Sequence, residues 1–188
     1  MFRPPLFPSC VSSAFLFPVL LFVSAPLLAQ SNVQAPSVRG PEDVVQALYD
    51  LVTFPESKTP DWDRARSLFL PEAVVVLRTS RTENTVFSVD GWIQDFVHFI
   101  ETSRVESTGF SEKIVRTHAT VFGDIAQIWV LYEAGVPGTD RPPQQGVDGF
   151  HLVRHGGRWL IASIVNELPI LAGELPEVLR TEGEGGSP

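Results

Sequence analysis

The fold of this chain is decided by the stretch VDGFHLVRHGGRWLIASI, residues 147–164. Two apolar, β-branched runs flank Gly156 and Gly157, a pair typical of the tight turn of a β-hairpin. The pattern therefore predicts one strand over residues 147–155 and a second, antiparallel strand over residues 158–166.

The residues before this hairpin contain two more strand candidates. Beyond residue 109, the spacing of apolar residues changes from the 3.6-residue period of a helix to the two-residue period of a strand. One candidate covers residues 110–122 and the other covers residues 125–134, with a Gly-Asp turn between them. A loop rich in glycine and proline, residues 135–146, then leads to the hairpin, so we expect four successive antiparallel strands.

Further upstream, apolar residues recur at helical spacing in three segments. Pro41 begins the first helix and Pro60 the second, since proline at the start of a helix needs no partner for a backbone N–H. Asp90 is the expected N-cap of the third helix. Short β-branched runs at 73–77 and 85–89 lie between the second and third helices. Helices at the start and hairpin-linked strands at the end predict an α+β fold with an antiparallel sheet.

Two of the predicted strands, at 125–132 and 159–165, are apolar on both faces. An antiparallel sheet with one face in water should alternate apolar and polar residues. Helices on one face and a second copy of the chain on the other would explain the pattern, which predicts a homodimer through the sheet. The alternative is that the chain's own C-terminal segment covers the second face.

Residues 1–29 have the features of a secretory signal peptide. Arg3 is the only charged residue in this segment, and the apolar run at 15–28 is broken by prolines. A membrane-spanning helix needs about 20 apolar residues, which is longer than this run. Cleavage after Ala29 would export the mature chain to the periplasm or the medium, with no stable membrane span. An uncleaved membrane anchor is the alternative.

Composition divides the rest of the chain into three parts. Residues 30–40 are polar and contain proline, which predicts a linker. Residues 41–167 carry all the predicted helices and strands and form one domain. Residues 168–188 end in acidic and glycine-rich sequence and are predicted to be a flexible tail.

The charge balance and the cysteine content exclude several classes of function. The chain has 14 basic and 22 acidic residues, a net charge of −8. This argues against nucleic acid as a partner, because phosphate binding requires clustered Lys and Arg. The single cysteine, Cys10, lies in the predicted signal peptide, so the mature chain would have no disulfide and no Cys-ligated zinc. Nucleotide-binding loops, nucleophile elbows and zinc-protease motifs are absent from the sequence.

The order and spacing of five passages resemble the nuclear transport factor 2-like superfamily, also called SnoaL-like. The resemblance covers residues 41–167, and the passages that carry it are VVQALYDLV (44–52), RSLFLPEAVVV (66–76), DGWIQDFVHFI (90–100), VFGDIAQIWVLYE (121–133) and residues 147–164. The resemblance implies a curved antiparallel sheet wrapped around about three helices, which forms a cone with an apolar pocket. Many members of the superfamily dimerise through the sheet.

The superfamily does not fix one function. It includes isomerases, dehydratases, epoxide hydrolases and cyclases that act on apolar molecules, as well as non-catalytic pockets and interaction modules. Ketosteroid isomerase-like members use an acid, a tyrosine and a carboxylate base around the pocket. The resemblance places Asp148 at the position of the acid, and an inward-facing Asp148 would have a raised pKa. Tyr132 lies on the same face of its strand as Ala126, which the family turns inward.

The positions of the family's carboxylate base fall on Val76 and Leu77, so no base is evident. His118 is open to solvent or to the pocket, and a His118–Asp148 acid–base pair is one candidate. The alternative for Asp148 is a structural carboxylate that bonds loop amides or Arg158.

Aromatic residues are the other candidates for ligand binding. Trp62, Trp92, Phe96 and Phe150 could line an apolar pocket, and Tyr49 lies one residue from the family's first-helix tyrosine position. Aromatic residues at regular spacing are more often part of an ordinary core.

No metal or cofactor is predicted. His151 and His155 have the spacing of a helical metal site, but in a strand they lie about 13 Å apart.

Three functions remain open: binding of a small apolar molecule, cofactor-independent catalysis with Asp148, or an interaction module whose pocket is filled. A cavity that holds Asp148 and a second titratable group would favour catalysis. A purely apolar cavity would favour binding, and the absence of a cavity would favour the interaction module.

Overall fold

The computed structural model describes residues 40–180. The predicted signal peptide (1–29), nearly all of the predicted linker (30–39) and the end of the predicted tail (181–188) lie outside the described residues. Within residues 40–180, no helix is both long enough and apolar enough to cross a membrane.

Three helices precede or interrupt the strands, and the described part of the chain ends in two short helical turns. The main helices are α1 (Pro41–Val52), α2 (Trp62–Arg66) and α3 (Val89–Thr102). A single turn forms α4 (Pro169–Ala172), and Glu177–Leu179 forms a 3₁₀ turn. The second helix is shorter than its apolar pattern predicts, because Phe69 already belongs to the first strand.

Side-chain caps fix where the helices begin. Asp61 Oδ1 accepts a hydrogen bond from the backbone N–H of Arg64 at 3.0 Å and caps α2. The N-cap of α3 is Ser88, whose Oγ accepts from the N–H of Gly91 at 3.1 Å. Asp90, the expected cap, lies in the first turn instead, where its carboxylate is favoured by the helix dipole.

Within residues 40–180, six strands form one sheet. They are β1 (Phe69–Arg78), β2 (Asn84–Ser88), β3 (Ser111–Phe122), β4 (Ile125–Gly135), β5 (Gln144–His155) and β6 (Arg158–Glu167).

The strand order is β2-β1-β6-β5-β4-β3. Strands β3 to β6 form the four-stranded antiparallel meander that the sequence predicts, which confirms the α+β class. The sheet as a whole is mixed, because β1 pairs with β6 in parallel.

The helices pack on the inner face of the sheet and bury its apolar side chains. Ile128 and Val130 of β4 are fully buried, as are Val44 of α1 and Ile161 of β6. Burial of such a side chain contributes about 1.5–3 kcal/mol, so this layer is the main source of stability.

The C-terminal segment covers part of the outer face. Leu179 is fully buried against Leu131 and Val147, and Arg116 Nη1 donates a hydrogen bond to the carbonyl of Leu179 at 2.8 Å. The chain's own tail therefore covers part of the second apolar face, which is the alternative that the sequence left open. Residues 168–180 of the predicted flexible tail are accordingly folded.

The outer face away from this segment is apolar and open. Val74 on β1 is 39% exposed and Val165 on β6 is 48% exposed. The homodimer through the sheet stays a prediction for this part of the face.

Candidate functional site

A polar cluster forms where the neighbouring strands β4, β5 and β6 lie side by side. Antiparallel register places Asp148 opposite Val130 on one side and opposite Asn166 on the other. Tyr132 lies two residues after Val130 and therefore on the same face. Tyr49 reaches the cluster from the buried face of α1.

Hydrogen bonds hold the carboxyl group of Asp148 at both oxygens. The hydroxyl of Tyr49 donates to Oδ2 at 2.6 Å, and Asn166 Nδ2 donates to Oδ1 at 2.8 Å. Asn166 Nδ2 also donates to the hydroxyl of Tyr132 at 3.0 Å. The hydroxyl proton of Tyr132 has no acceptor among the described residues, so this proton is available to a ligand.

Gly146 leaves room for the ring of Tyr132. The two residues are directly paired between β5 and β4. A Cβ atom at position 146 would lie 2.2 Å from the hydroxyl oxygen of Tyr132. Any side chain at position 146 would therefore displace the tyrosine from its bond with Asn166.

A cavity of about 260 Å³ opens beside this cluster. Its polar lining includes Tyr49, Glu112, Tyr132, Asp148 and Asn166. Its apolar wall comes from both helices and strands and includes Leu48, Val52, Val75, Trp92, Phe96 and Phe150. The cavity therefore has one polar side and one apolar side.

An ion pair closes one edge of the cavity. Arg78 at the end of β1 donates from Nε to Glu167 Oε1 at 2.9 Å, and a second contact joins Nη2 to Oε2. The bond from Arg78 lowers the pKa of Glu167, and the same bond raises the pKa of Arg78. Because Glu167 already pairs with the charge of Arg78, Arg78 shapes the edge of the cavity and adds little positive charge to it.

Glu112 is the second acid in the cavity. Thr53, just after α1, fixes its backbone: Thr53 Oγ1 accepts from the N–H of Glu112 and donates to its carbonyl oxygen, both at 2.9 Å. The side chain is half-buried, and no group among residues 40–180 bonds to its carboxyl. Glu112 is thus held in position at the backbone while its acid group stays free for a ligand.

Burial separates the pKa values of the two acids. Burial raises the pKa of Glu112 to about 8, and the charge of Asp148 adds to the effect. Burial also raises the pKa of Asp148, but the hydrogen bonds from Tyr49 and Asn166 oppose it and hold the value at about 6. Near pH 7, Asp148 is mainly a carboxylate and Glu112 is mainly a neutral acid.

The two tyrosines stay protonated across the same range. Burial is the largest cause that raises the pKa of Tyr49 and of Tyr132, and the charge of Asp148 adds to both. Tyr49 is therefore a permanent hydrogen-bond donor to Asp148.

Solved structures share this architecture. An NTF2-like protein of unknown function from Pseudomonas putida superposes with a TM-score of 0.51 at 12% identity, over 67% of this chain and 79% of that one. A cystatin-like fold protein from Nostoc punctiforme gives 0.53 at 9% identity, over 68% and 86% of the two chains. The chain has the nuclear transport factor 2-like fold.

The NTF2-like fold leaves the activity open. The yeast UBP3-associated protein BRE5 also shares it, with a TM-score of 0.50 at 14% identity over 69% of this chain and 96% of that one. No protein-family model matches the sequence, and no curated protein is significantly similar to it.

Most of the predicted site residues meet in the cavity of this NTF2-like fold. Asp148, Tyr132 and Tyr49 form its polar cluster, and Trp92, Phe96 and Phe150 are among its walls. Trp62 lies behind the wall and is absent from the lining: its ring packs 6.1 Å from Trp92 and 5.3 Å from Phe96, measured between centroids.

His118 lies on the outer face of the sheet. It is exposed and paired with Trp129, so the structure does not bring it to Asp148. A bulge between Ile114 and Arg116 reverses the alternation of β3. This bulge turns Glu112 inward and His118 outward, although plain alternation would put both on one face.

The alternative partner of Asp148, Arg158, does not reach it either. Arg158 is exposed beside the β5–β6 turn, where it pairs with His155. In the described part of the chain, no group of three or more His, Cys, Asp or Glu residues could hold a metal ion.

Sequence reasoning missed Glu112 and Asn166. Asn166 had only a partial signal: it is a lone amide in a run of apolar residues, but the turn alone would place Val165 opposite Asp148, and a bulge in β6 shifts the register to Asn166. Glu112 had no usable signal in the sequence. The bulge in β3 determines the face on which its side chain lies, and the alternation pattern does not reveal the bulge.

Proposed function

We propose that the protein binds a small, mainly apolar molecule with an oxygen group in the 260 Å³ cavity and transfers protons on it without a cofactor. The single observation that carries this proposal is the presence of two acids, Asp148 and Glu112, with separated pKa values in one apolar-walled cavity. Pairs of titratable groups whose surroundings separate their pKa values are the usual sign of an acid and a base.

Binding is supported by the division of the cavity into two sides. The apolar wall would hold a hydrocarbon ring or chain, because apolar surface is favoured out of water. The free hydroxyl proton of Tyr132 and the acid of Glu112 would bond to an oxygen of the ligand. A purely apolar ligand would leave these polar groups without partners, which costs binding energy.

Proton transfer follows from the charge states near pH 7. The carboxylate of Asp148 takes a proton from the carbon next to a ligand carbonyl, the C–H bond breaks, and its electron pair forms a C=C bond. Glu112 gives its proton to the carbonyl oxygen, which yields an enol. Return of a proton to carbon and of the hydroxyl proton to Glu112 completes an isomerisation or an exchange of hydrogen.

The test is hydrogen exchange on a small apolar ketone. We would incubate 2-tetralone in D₂O with the protein and follow loss of its α-hydrogens by NMR. Wild-type protein should accelerate the exchange, and Asp148→Asn should reduce the acceleration about 100-fold. Asp95→Asn, which changes an exposed carboxylate on α3, is the matched control. Exchange at the uncatalysed rate with wild-type protein would contradict the catalytic part.

Binding without catalysis is the second candidate. One observation favours it: both oxygens of Asp148 already accept hydrogen bonds, which is also typical of a structural carboxylate. In that case 2-tetralone would bind and show line broadening in the same NMR experiment, but its hydrogens would not exchange. Loss of cooperative unfolding in Asp148→Asn would further assign the carboxylate to stability.

An interaction module with a filled pocket fits less well, because side chains do not fill the cavity.

Export through residues 1–29 completes the proposal. Expression of the full chain with its natural start, followed by mass spectrometry of the secreted protein, should find an N-terminus at Gln30. A chain retained with Met1 in the membrane fraction would support the uncleaved anchor.

A further inference from the structure

A second, more open cavity of about 720 Å³ adjoins the first. It lies between the residues that follow α3 and the loop that joins β4 to β5. Tyr132 and Gln144 line both cavities, so the two meet at these residues. A ligand that extends past Tyr132 would enter the second cavity.

The second cavity is basic. Arg104 and Arg141 line it, and none of the residues that line it is acidic. Neither guanidinium group forms an ion pair with any residue in the range 40–180, in contrast to Arg78, which is paired with Glu167. Both guanidinium groups are exposed and therefore available to an anion that enters the cleft.

The backbone at Arg104 is also unusual. Its φ angle is +65°, a left-handed conformation that non-glycine residues rarely adopt. The carbonyl of Arg104 accepts from the N–H of Ser107 at 3.1 Å and from its hydroxyl at 2.9 Å, which fixes the turn. Arg104 directly follows Ser103, the C-cap of α3, where a left-handed residue commonly ends a helix, so this turn fixes the point from which the arginine side chain extends.

We propose that the second cavity receives an anionic group of the ligand, so that the substrates are small apolar carboxylates or similar monoanions. This inference rests on the proposed function, because it assigns the far end of the same ligand. Guanidinium groups bind carboxylates and similar anions through paired, charge-assisted hydrogen bonds.

The two cavities together set the orientation of such a ligand. The carboxylate of Asp148 repels an anion in the first cavity, and the arginines attract it in the second. The neutral oxygen of the ligand then lies at Glu112 and Tyr132, with the apolar part between the two ends. Binding of the anionic group thus holds the reacting end of the ligand next to Asp148 and Glu112.

The test uses two fluorescent dyes with one skeleton. N-phenyl-1-naphthylamine is neutral, and 8-anilino-1-naphthalenesulfonate carries one added sulfonate. Wild-type protein should bind the sulfonate about ten-fold more tightly than the neutral dye, and this preference should fall as salt rises. Arg104→Gln/Arg141→Gln should remove the preference and leave affinity for the neutral dye unchanged.

The controls separate this inference from the proposed function. Arg158→Gln removes an exposed positive charge far from both cavities and should keep the preference. If the double variant fails to fold, Arg141→Gln alone should lower the preference. Equal binding of the two dyes, or a preference that survives both arginine changes, overturns the inference alone. Failure of wild-type protein to bind 2-tetralone contradicts the proposed function and the inference with it.

Discussion

The two ends of the central strands differ in what their inward side chains do. Toward the hairpin of β5 and β6, the inner face carries Leu152 and Ile161, which are almost completely buried. Four to five residues away on the same strands, Asp148 and Asn166 line a cavity. One continuous sheet thus has an apolar closed end and a polar open end.

This difference teaches that stability and activity can be separated along one strand. At the closed end, the side chains contact each other, and their removal leaves a void. At the open end, Tyr49, Asp148 and Asn166 bond to each other and leave the groups of Glu112 and Tyr132 to a ligand. Substitutions at the closed end should therefore lower stability, and substitutions at the open end should lower activity at little cost in stability.

The largest effect is expected at the closed end. Leu152→Ala should lower the free energy of unfolding by about 3 kcal/mol, because it leaves a cavity among fully buried neighbours. Urea unfolding measures the change. Val86→Ala, at a side chain that is 67% exposed, is the control and should change stability little. A loss below 1 kcal/mol for Leu152→Ala would contradict the division of the sheet.

The next effect is a pH dependence of stability at the open end. The pKa of Glu112 rises from 4.5 in the unfolded chain to about 8 in the folded protein. The unfolded chain releases this proton first, so folding stability should fall as pH rises from 4.5 to 8. Glu112→Gln removes this dependence and should be more stable than wild type at pH 8, on the order of 2 kcal/mol.

Urea unfolding of both proteins at pH 5 and pH 8 measures that difference. Asp95→Asn should keep the wild-type profile. If the stability of wild type and of Glu112→Gln changed with pH in the same way, Glu112 would have the same pKa in the folded and unfolded chain, which would contradict the prediction.

A smaller effect is expected from a change that disturbs only the position of Tyr132. Gly146→Ala should displace the ring and reduce the acceleration of 2-tetralone exchange about ten-fold, for a loss of about 1 kcal/mol in stability. Gly149→Ala is the matched control, because a Cβ there meets Trp129 at an ordinary 3.7 Å. Equal exchange rates with Gly146→Ala and Gly149→Ala would show that the position of Tyr132 does not affect the reaction.

The smallest effect on stability is expected on the outer face. Val165→Glu should change the free energy of unfolding by less than about 0.5 kcal/mol, since the side chain is half exposed. It should nevertheless convert the predicted dimer to a monomer, because it places a charge in the apolar contact. Light scattering at micromolar concentration measures the masses of wild-type protein and of Val165→Glu. A monomeric wild type would contradict the prediction.

The order of helical and alternating segments was enough to predict the α+β class, and the family resemblance together with the two-residue period indicated Asp148 and Tyr132 as candidates. Asp148 and Tyr132 lie on strands with regular register around them, so a two-residue period assigns their faces correctly. The parallel pairing of β1 with β6 was not predictable, because it joins segments that are far apart in the chain.

Bulges explain the rest of what was missed. The extra residue in β3 puts Glu112 and His118 on opposite faces of the sheet, and a second bulge in β6 falls near Ala162. A bulge depends on pairing with the neighbouring strand, which a single strand's sequence does not contain. The predicted His118–Asp148 pair failed to form for this reason.

Tyr132 lines both cavities at the point where they meet, and Gly146 leaves the space that its ring occupies. The ring therefore borders the route by which a ligand would extend from the first cavity into the second. Tyr132→Ala should widen this route, so that the variant accepts bulkier ligands than wild-type protein does.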